Sequence, residues 1–154
     1  LLPLTNNRSK SSLSFGGKYR IIDITLSNCI NSDLRRIYLL TQYKSDSLHK
    51  HIYKAWKIFH PELFEFIHSV PPQQKIDNSW YTGTADAVFQ NIDLIKDNDE
   101  NLLLLSSDRI YKMDYSKLIH YHNELKADLT IAYIKMPKEI TKHLSTLEIN
   151  SNNK

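Results

Sequence analysis

A chain of 154 residues with 41% hydrophobic and 24% charged residues is long enough for one domain with a substantial core and too short for two ordinary ones. No apolar run approaches the length that spans a bilayer, and the single cysteine, Cys29, excludes an internal disulfide and any multi-cysteine zinc cluster. The net charge of +3 comes from 20 basic and 17 acidic residues spread along the chain, so neither nucleic acid nor a membrane is an expected partner.

In chain order, Gly16-Gly17 places two of the three glycines side by side after a Ser-rich, strand-like segment, which predicts a sharp turn that brings Lys18 and Arg20 near one place. Ile22, Leu26, Cys29 and Ile30 have helical spacing, and Arg36 to Thr41 reads as a short strand. Ser45 and Ser47 precede Leu48, Ile52, Trp56 and Phe59, which predicts a helix running to His60-Pro61, where proline ends it. Leu63 to Val70 reads as a second strand, and Pro71 to Ser79 as loop. Thr84 looks like an N-cap for a helix from about Ala85 to Ile95, carried by Val88, Ile92 and Ile95.

Four leucines, Leu102 to Leu105, suit a strand buried on both faces of a parallel sheet. Tyr115 to Lys126 has helical spacing, Leu129 to Ile134 reads as a strand, and Ser145 to Ile149 as the first arm of a hairpin turning at Asn150 to Asn153. This βαβ alternation predicts an α/β fold, a three-layer sandwich around a mostly parallel sheet, Rossmann-like, spanning residues 1–154 and incomplete at both ends. Ligands of such sheets bind beyond the carboxyl ends of the strands, and Asp108 stands just past Leu105. The histidine pairs His49/His51 and His120/His122 are two apart and do not share a helix face, so they do not read as a metal site. Cys29 falls on the apolar side of its helix and reads as a buried hydrophobe.

Three ordered blocks carry a family resemblance: Phe15 to Ser32, Trp80-Tyr81-Thr82-Gly83-Thr84-Ala85-Asp86-Ala87, and Ser107-Asp108-Arg109-Ile110-Tyr111-Lys112-Met113-Asp114-Tyr115. Together they resemble the ADP-glucose pyrophosphorylases, the glucose-1-phosphate adenylyltransferases of glycogen and starch synthesis. The resemblance implies ATP and glucose 1-phosphate as substrates, Mg²⁺ as cofactor, a cytoplasmic setting, and a homo-oligomer of the tetrameric kind found in relatives. It implies that Asp108 is the catalytic, metal-holding carboxylate and Lys10 a lysine near the phosphates; the plainer alternatives are a turn cap and a solvated loop lysine. It associates Gln73, Gln74, Tyr81, Gly83 and Thr84 with the nucleotide, and Lys18, Arg20, Gln42 and Trp80 with the phosphate or effector neighbourhood. Surface ion pairing is the alternative for Lys18 and Arg20, a polar loop for the glutamines, and core packing for the aromatic pair.

Several positions depart from the family pattern. Ser11 stands where the family has proline, Ser107 where it has the glycine before the aspartate, Arg109 where it has histidine, and Ser145 where it has glycine; Asn7 occupies the place of an activator-reading lysine. The family's Gly-rich loop belongs before Leu1, and its left-handed β-helix domain beyond Lys154, so the fragment is expected to be inactive alone. A non-catalytic, subunit-packing relative and a different sugar-nucleotide pyrophosphorylase are the alternative functions.

Overall fold

Hydrophobic spacing in the first half of the chain becomes packing in a direct way. The computed structural model describes residues 2–72, 80–95, 101–137, 139–141 and 145–149. A short antiparallel hairpin, β1 (Ser14–Phe15) and β2 (Tyr19–Arg20), is closed by Gly16 at φ 56° and Gly17 at φ 87°. Both values lie where a Cβ is disfavoured, which is the reason for two adjacent glycines. Helix α1 (Ile21–Asn31) follows without a linker, and Asp23 in its first turn accepts a hydrogen bond from the Arg20 backbone N–H at 2.8 Å, satisfying one of the donors a helix leaves unpaired.

Strand β3 (Arg36–Leu40) pairs in parallel with β4 (Phe66–Val70), Arg36 opposite Phe66 and Leu40 opposite Val70. Between them runs α2 (Asp46–Ala55), the crossover that a parallel pair requires. Ile22 and Leu26 of α1 and Leu48 and Ile52 of α2 form the buried core, against which Ile37, Leu39 and Ile67 pack from one face of the sheet. On the other face Tyr38 meets Phe66 edge-on at 5.0 Å. Two further helices, α3 (Thr84–Gln90) and α4 (Tyr115–Glu124), complete the described regular structure.

Helix positions and the strands through Val70 match the sequence-based expectation apart from four local differences, the first being that β4 begins at Phe66 rather than Leu63, because Pro61–Leu63 forms a 3₁₀ turn and Phe64 stands at φ 57°. Helix α2 ends at Ala55 rather than His60, because Trp56 leaves helical geometry while its indole N–H donates to Asp23 at 2.8 Å. Gly83, not Thr84, caps α3, and Thr84 is its first helical residue. That helix stops at Gln90, where the Asn91 amide donates to the Ala87 carbonyl and to the Tyr81 hydroxyl, drawing the chain into a 3₁₀ turn over Ile92–Leu94.

The larger correction concerns the sheet. Leu102–Leu105 and Leu129–Ile134 form no ladder with any described segment, and Ser145–Ile149 is exposed without a strand partner among the described residues. A strand exists only through its neighbour, and the space beside β3 in which a ladder would form is instead a cleft lined by both β3 and Leu102–Leu105. The described sheet is therefore a parallel pair with helices, and a three-layer sandwich is not formed by these residues.

Helices α1 and α4 end alike. Past α1, Leu34 N–H donates to Cys29 C=O at 2.9 Å and Asp33 N–H to Ile30 C=O at 3.0 Å; past α4, Ala127 N–H donates to His122 C=O at 3.2 Å and Lys126 N–H to Asn123 C=O at 3.1 Å. This is the Schellman pattern, which needs a left-handed residue after the cap and favours glycine there. The positions are filled by Asp33 at φ 60° and Lys126 at φ 48°. Replacing Lys126→Gly is expected to raise stability by about 0.5–1 kcal/mol, the relief of left-handed strain less the added freedom of glycine in the unfolded chain, as read from thermal or urea unfolding.

Candidate functional site

A cleft of about 1120 Å³ opens beside β3 and beyond its carboxyl end, where Thr41, Gln42 and Tyr43 contribute to its wall. Lys10, Gly83, Thr84 and Asp108 line it too, so residues separated by up to nearly a hundred positions reach one space.

The segment that carries Asp108 has no helix or ladder of its own, and α1 holds it in place. Thr25, Asn28 and Ser32 are buried and spaced three and four apart, which makes one polar stripe on the helix and its cap. The Asn28 amide donates to the Tyr111 carbonyl at 2.8 Å, the Thr25 hydroxyl to the Ser106 carbonyl at 3.4 Å, and the Ser32 hydroxyl accepts from the Tyr115 N–H at 2.8 Å. Tyr115 is buried, its hydroxyl bonded to that of Tyr111 at 2.8 Å, and burial raises its pKa. Asp114 caps α4 by accepting from Ser116 N–H at 3.0 Å, and the Ser116 hydroxyl and backbone hold its carboxyl below the usual range. Asp108 itself is exposed, with Oδ1 accepting from the Ser106 hydroxyl at 2.6 Å.

Lys10 opens a 3₁₀ turn, Lys10–Ser12, braced by the Ser12 hydroxyl donating to the Ser9 carbonyl at 2.9 Å. Opposite it, Asp86 accepts from Thr82 N–H at 2.9 Å and from the Gln90 amide at 3.0 Å, which fixes the Gly83 approach to α3; the Thr82 bond lowers the Asp86 pKa. Gly83 has extended backbone, and a Cβ built there meets nothing within 4 Å. Nothing in the fold therefore requires glycine at 83.

Gln42 and Tyr81 meet through the chain itself. The Gln42 carbonyl oxygen accepts from Tyr81 N–H at 2.9 Å and its amide donates to the Tyr81 carbonyl at 3.4 Å, while Asn91 donates to the Tyr81 hydroxyl at 2.9 Å. Gln42 thus pairs with the Tyr81 backbone at the cleft wall. Trp80 is exposed.

Lys18 and Arg20 are not in the cleft wall. Lys18 sits exposed at the hairpin with its ammonium 5.3 Å from the Tyr19 ring centre, and Arg20 donates to the Ser47 carbonyl at 2.5 Å and the Ser47 hydroxyl at 2.9 Å. Gln73 and Gln74 lie outside the described residues. Cys29 is buried, and burial pushes its thiol up to about 11, so it stays protonated at neutral pH. Among the described residues no three His, Cys, Asp or Glu side chains cluster as a metal site, and no helix is long and apolar enough to cross a membrane.

Sequence reasoning missed Asp23, Asn91 and the stripe of Thr25, Asn28 and Ser32. The stripe had a signal, three small polar residues at helical spacing beside an apolar face, but its burial was not legible locally.

A parallel strand pair with a cleft at its carboxyl end, a lysine on one wall and a carboxylate on a loop, suits a protein that handles phosphate esters. The family model for nucleotidyl transferases matches residues 1–153, and the chain belongs to that family. Among curated relatives it is similar to glucose-1-phosphate adenylyltransferase 2 of Vibrio parahaemolyticus, 52% identical over 138 residues, which is 89% of this chain and 34% of that protein. It is 48% identical to glucose-1-phosphate adenylyltransferase 2 of Vibrio cholerae, over all of this chain and 38% of that protein, and 46% identical to glucose-1-phosphate adenylyltransferase of Rhodopirellula baltica, over all of this chain and 35% of that protein. The resemblance read from the three motif blocks is thus matched by these relatives, and the chain spans about a third of their length.

Asp23 gives the site's scaffold its sharpest test. Its carboxylate accepts from the His51 ring at 2.7 Å and the Trp56 indole at 2.8 Å as well as from the Arg20 backbone, joining the hairpin, α1 and α2 at one buried point. Asp23→Ala strands three donors, and the expected loss is about 3 kcal/mol in urea unfolding followed by tryptophan fluorescence, with Asp23→Asn losing about half as much because one acceptor remains.

Proposed function

We propose that the protein containing this chain joins ATP and glucose 1-phosphate to form ADP-glucose and pyrophosphate, and that this chain supplies part of its nucleotidyltransferase domain. The observation that carries the reading is identity of 46–52% with proteins named glucose-1-phosphate adenylyltransferase, combined with the convergence of Lys10 and Asp108 on one cleft. The three-layer sandwich extends the same reading. Leu102–Leu105 and Leu129–Ile134 carry the apolar pattern of buried strands, and a strand standing in the cleft beside β3 would bring Leu102–Leu105 into the sheet.

The chemistry asks little of acids and bases. A phosphate oxygen of glucose 1-phosphate attacks the α-phosphorus of ATP; the new P–O bond forms as the bond from that phosphorus to the β-bridging oxygen breaks, and pyrophosphate departs with the electron pair. No proton need move, because the attacking phosphate is already ionised near neutral pH. The demands are alignment of two anions and neutralisation of charge as the phosphorus becomes five-coordinate. The Lys10 ammonium is suited to the phosphate oxygens, and the braced 3₁₀ turn fixes the backbone from which it reaches. Thr84, at the start of α3, adds a hydroxyl at the cleft wall, and Gly83 leaves room beside it for a nucleotide.

The donor set also fits Mg²⁺, which is commonly held by one or two carboxylates together with substrate phosphates rather than by a full protein cage. Asp108, exposed on the cleft wall, is the residue that would hold it. When bound, the cation supplies charge neutralisation to the phosphates.

Pyrophosphate release from ATP plus glucose 1-phosphate tests the reading in the protein as expressed from its gene. Asp108→Asn is expected to lower kcat by about 10²–10³ with an unchanged unfolding midpoint, the scale of losing one group that stabilises transition-state charge. Retention of activity in that variant assigns the catalytic carboxylate elsewhere. Gly83→Ala is expected to keep stability within about 1 kcal/mol, as a helix N-cap exchange does, while raising the KM for ATP severalfold; an unaltered KM removes Gly83 from the nucleotide's surroundings.

A further inference from the structure

Two segments distant in sequence bring Lys10 and Asp108 to the cleft. Residues 9–13 carry Lys10 and residues 106–108 carry Asp108. Among the described residues one hydrogen bond joins these segments directly, between the hydroxyls of Ser11 and Ser107, 2.6 Å apart and 96 positions distant in sequence. Ser11 immediately follows Lys10, and Ser107 immediately precedes Asp108.

The bond matters because its two sides are unequal in rigidity. The Ser11 side is fixed: Leu13 N–H donates to Lys10 C=O at 3.1 Å, Ile21 N–H donates to Leu13 C=O at 3.0 Å, and Ser11 and Ser12 are buried. The Ser107 side is a turn at residues 107–108 outside any helix or strand, and its neighbouring anchor, Thr25 to the Ser106 carbonyl, is long at 3.4 Å. Among the described residues the Ser106 hydroxyl bonds to Asp108 two residues on, which orients the carboxylate without tying the segment to the rest of the fold. A 2.6 Å contact is at the short end for O–H···O bonds, and among the described residues it is the direct link between the lysine turn and the aspartate loop.

We propose that Ser11 and Ser107 are positioning residues: their hydroxyl bridge holds Asp108 in register with Lys10 for phosphoryl transfer. The proposal rests on the adenylyltransferase reading above. Since that reaction is aligned rather than proton-driven, displacement of one charged group by a fraction of an ångström should fall on turnover more than on substrate binding.

The test is a double-mutant cycle in the protein as expressed from its gene, with kcat, both KM values and the unfolding midpoint measured for each variant. S11A and S107A are each expected to lower kcat about tenfold with KM values within about twofold, and the double variant is expected to be no worse than either single, because the bridge is lost once. Ser107→Thr, which keeps a hydroxyl, is expected to stay within about threefold of the parent. Ser107 is only half-buried, so S107A decides the matter if S11A does not fold. Losses that multiply to about a hundredfold in the double variant overturn the bridge, as does a kcat unchanged by S107A with only the unfolding midpoint lowered. An unsubstituted protein that turns over no nucleotide with glucose 1-phosphate overturns the adenylyltransferase reading itself, an outcome separate from active parent and indifferent variants.

Discussion

Burying the polar face of α1 is the constraint on which the rest of the structure depends. A helix that packs its apolar face on the sheet normally turns its polar face to water, and leaving Thr25, Asn28 and Ser32 dry without partners would cost on the order of 1–3 kcal/mol each. They are satisfied by the segment from Ser106 to Tyr115, which has little regular structure until α4 begins. The same bonds that relieve the helix therefore define the path of the loop that bears Asp108. Position at the cleft is a by-product of satisfying a buried helix face.

The first turn of α1 works in a similar way toward the other side. Asp23 gathers donors from the hairpin backbone, from His51 of α2 and from Trp56 just past it, so the crossover helix is fastened at its far end by hydrogen bonds and along its length by Leu48 and Ile52. Charge-assisted bonds of this kind are stronger than neutral ones, and a buried carboxylate is tolerable only when so surrounded. Arg20 is drawn into the same junction through Ser47, which accounts for its place outside the cleft although it lies in the most conspicuous motif of the sequence. In that motif the scaffold takes up Arg20, while Lys18 stays exposed at the hairpin.

Local periodicity made α1, β3, α2, β4 and α4 legible, because each has a buried face and a spacing that reveals it. Leu102–Leu105 shows where such reading stops. Four leucines declare a need for cover but say nothing of which strand stands beside them, and pairing is a non-local property. The candidate site divides along the same line. Gly83, Thr84 and Asp108 were legible through the motif blocks and Lys10 through the wider family resemblance, and the structure brings them to one cleft. The contacts that fix their spacing were not: Ser11 with Ser107, Asn28 with Tyr111 and Gln42 with Tyr81 are separated by 96, 83 and 39 positions. Each involves a polar side chain whose bonding cannot be told from solvation until the fold is known.

The scarcity of glycine, three in 154 residues, can now be traced to particular places. Two glycines sit where the hairpin backbone requires positive φ, yet Asp33, Lys44, Phe64 and Lys126 occupy left-handed backbone without being glycine. Each such residue costs about 1–2 kcal/mol against a relaxed conformation, and two of them stand in helix-ending motifs that glycine serves best. A chain under pressure only for stability would have glycine there. It keeps one instead at position 83, where backbone geometry makes no demand and no neighbour would meet a Cβ. Glycine is thus absent from four left-handed positions and present at 83, a cleft-wall position where neither the backbone nor a neighbour calls for it.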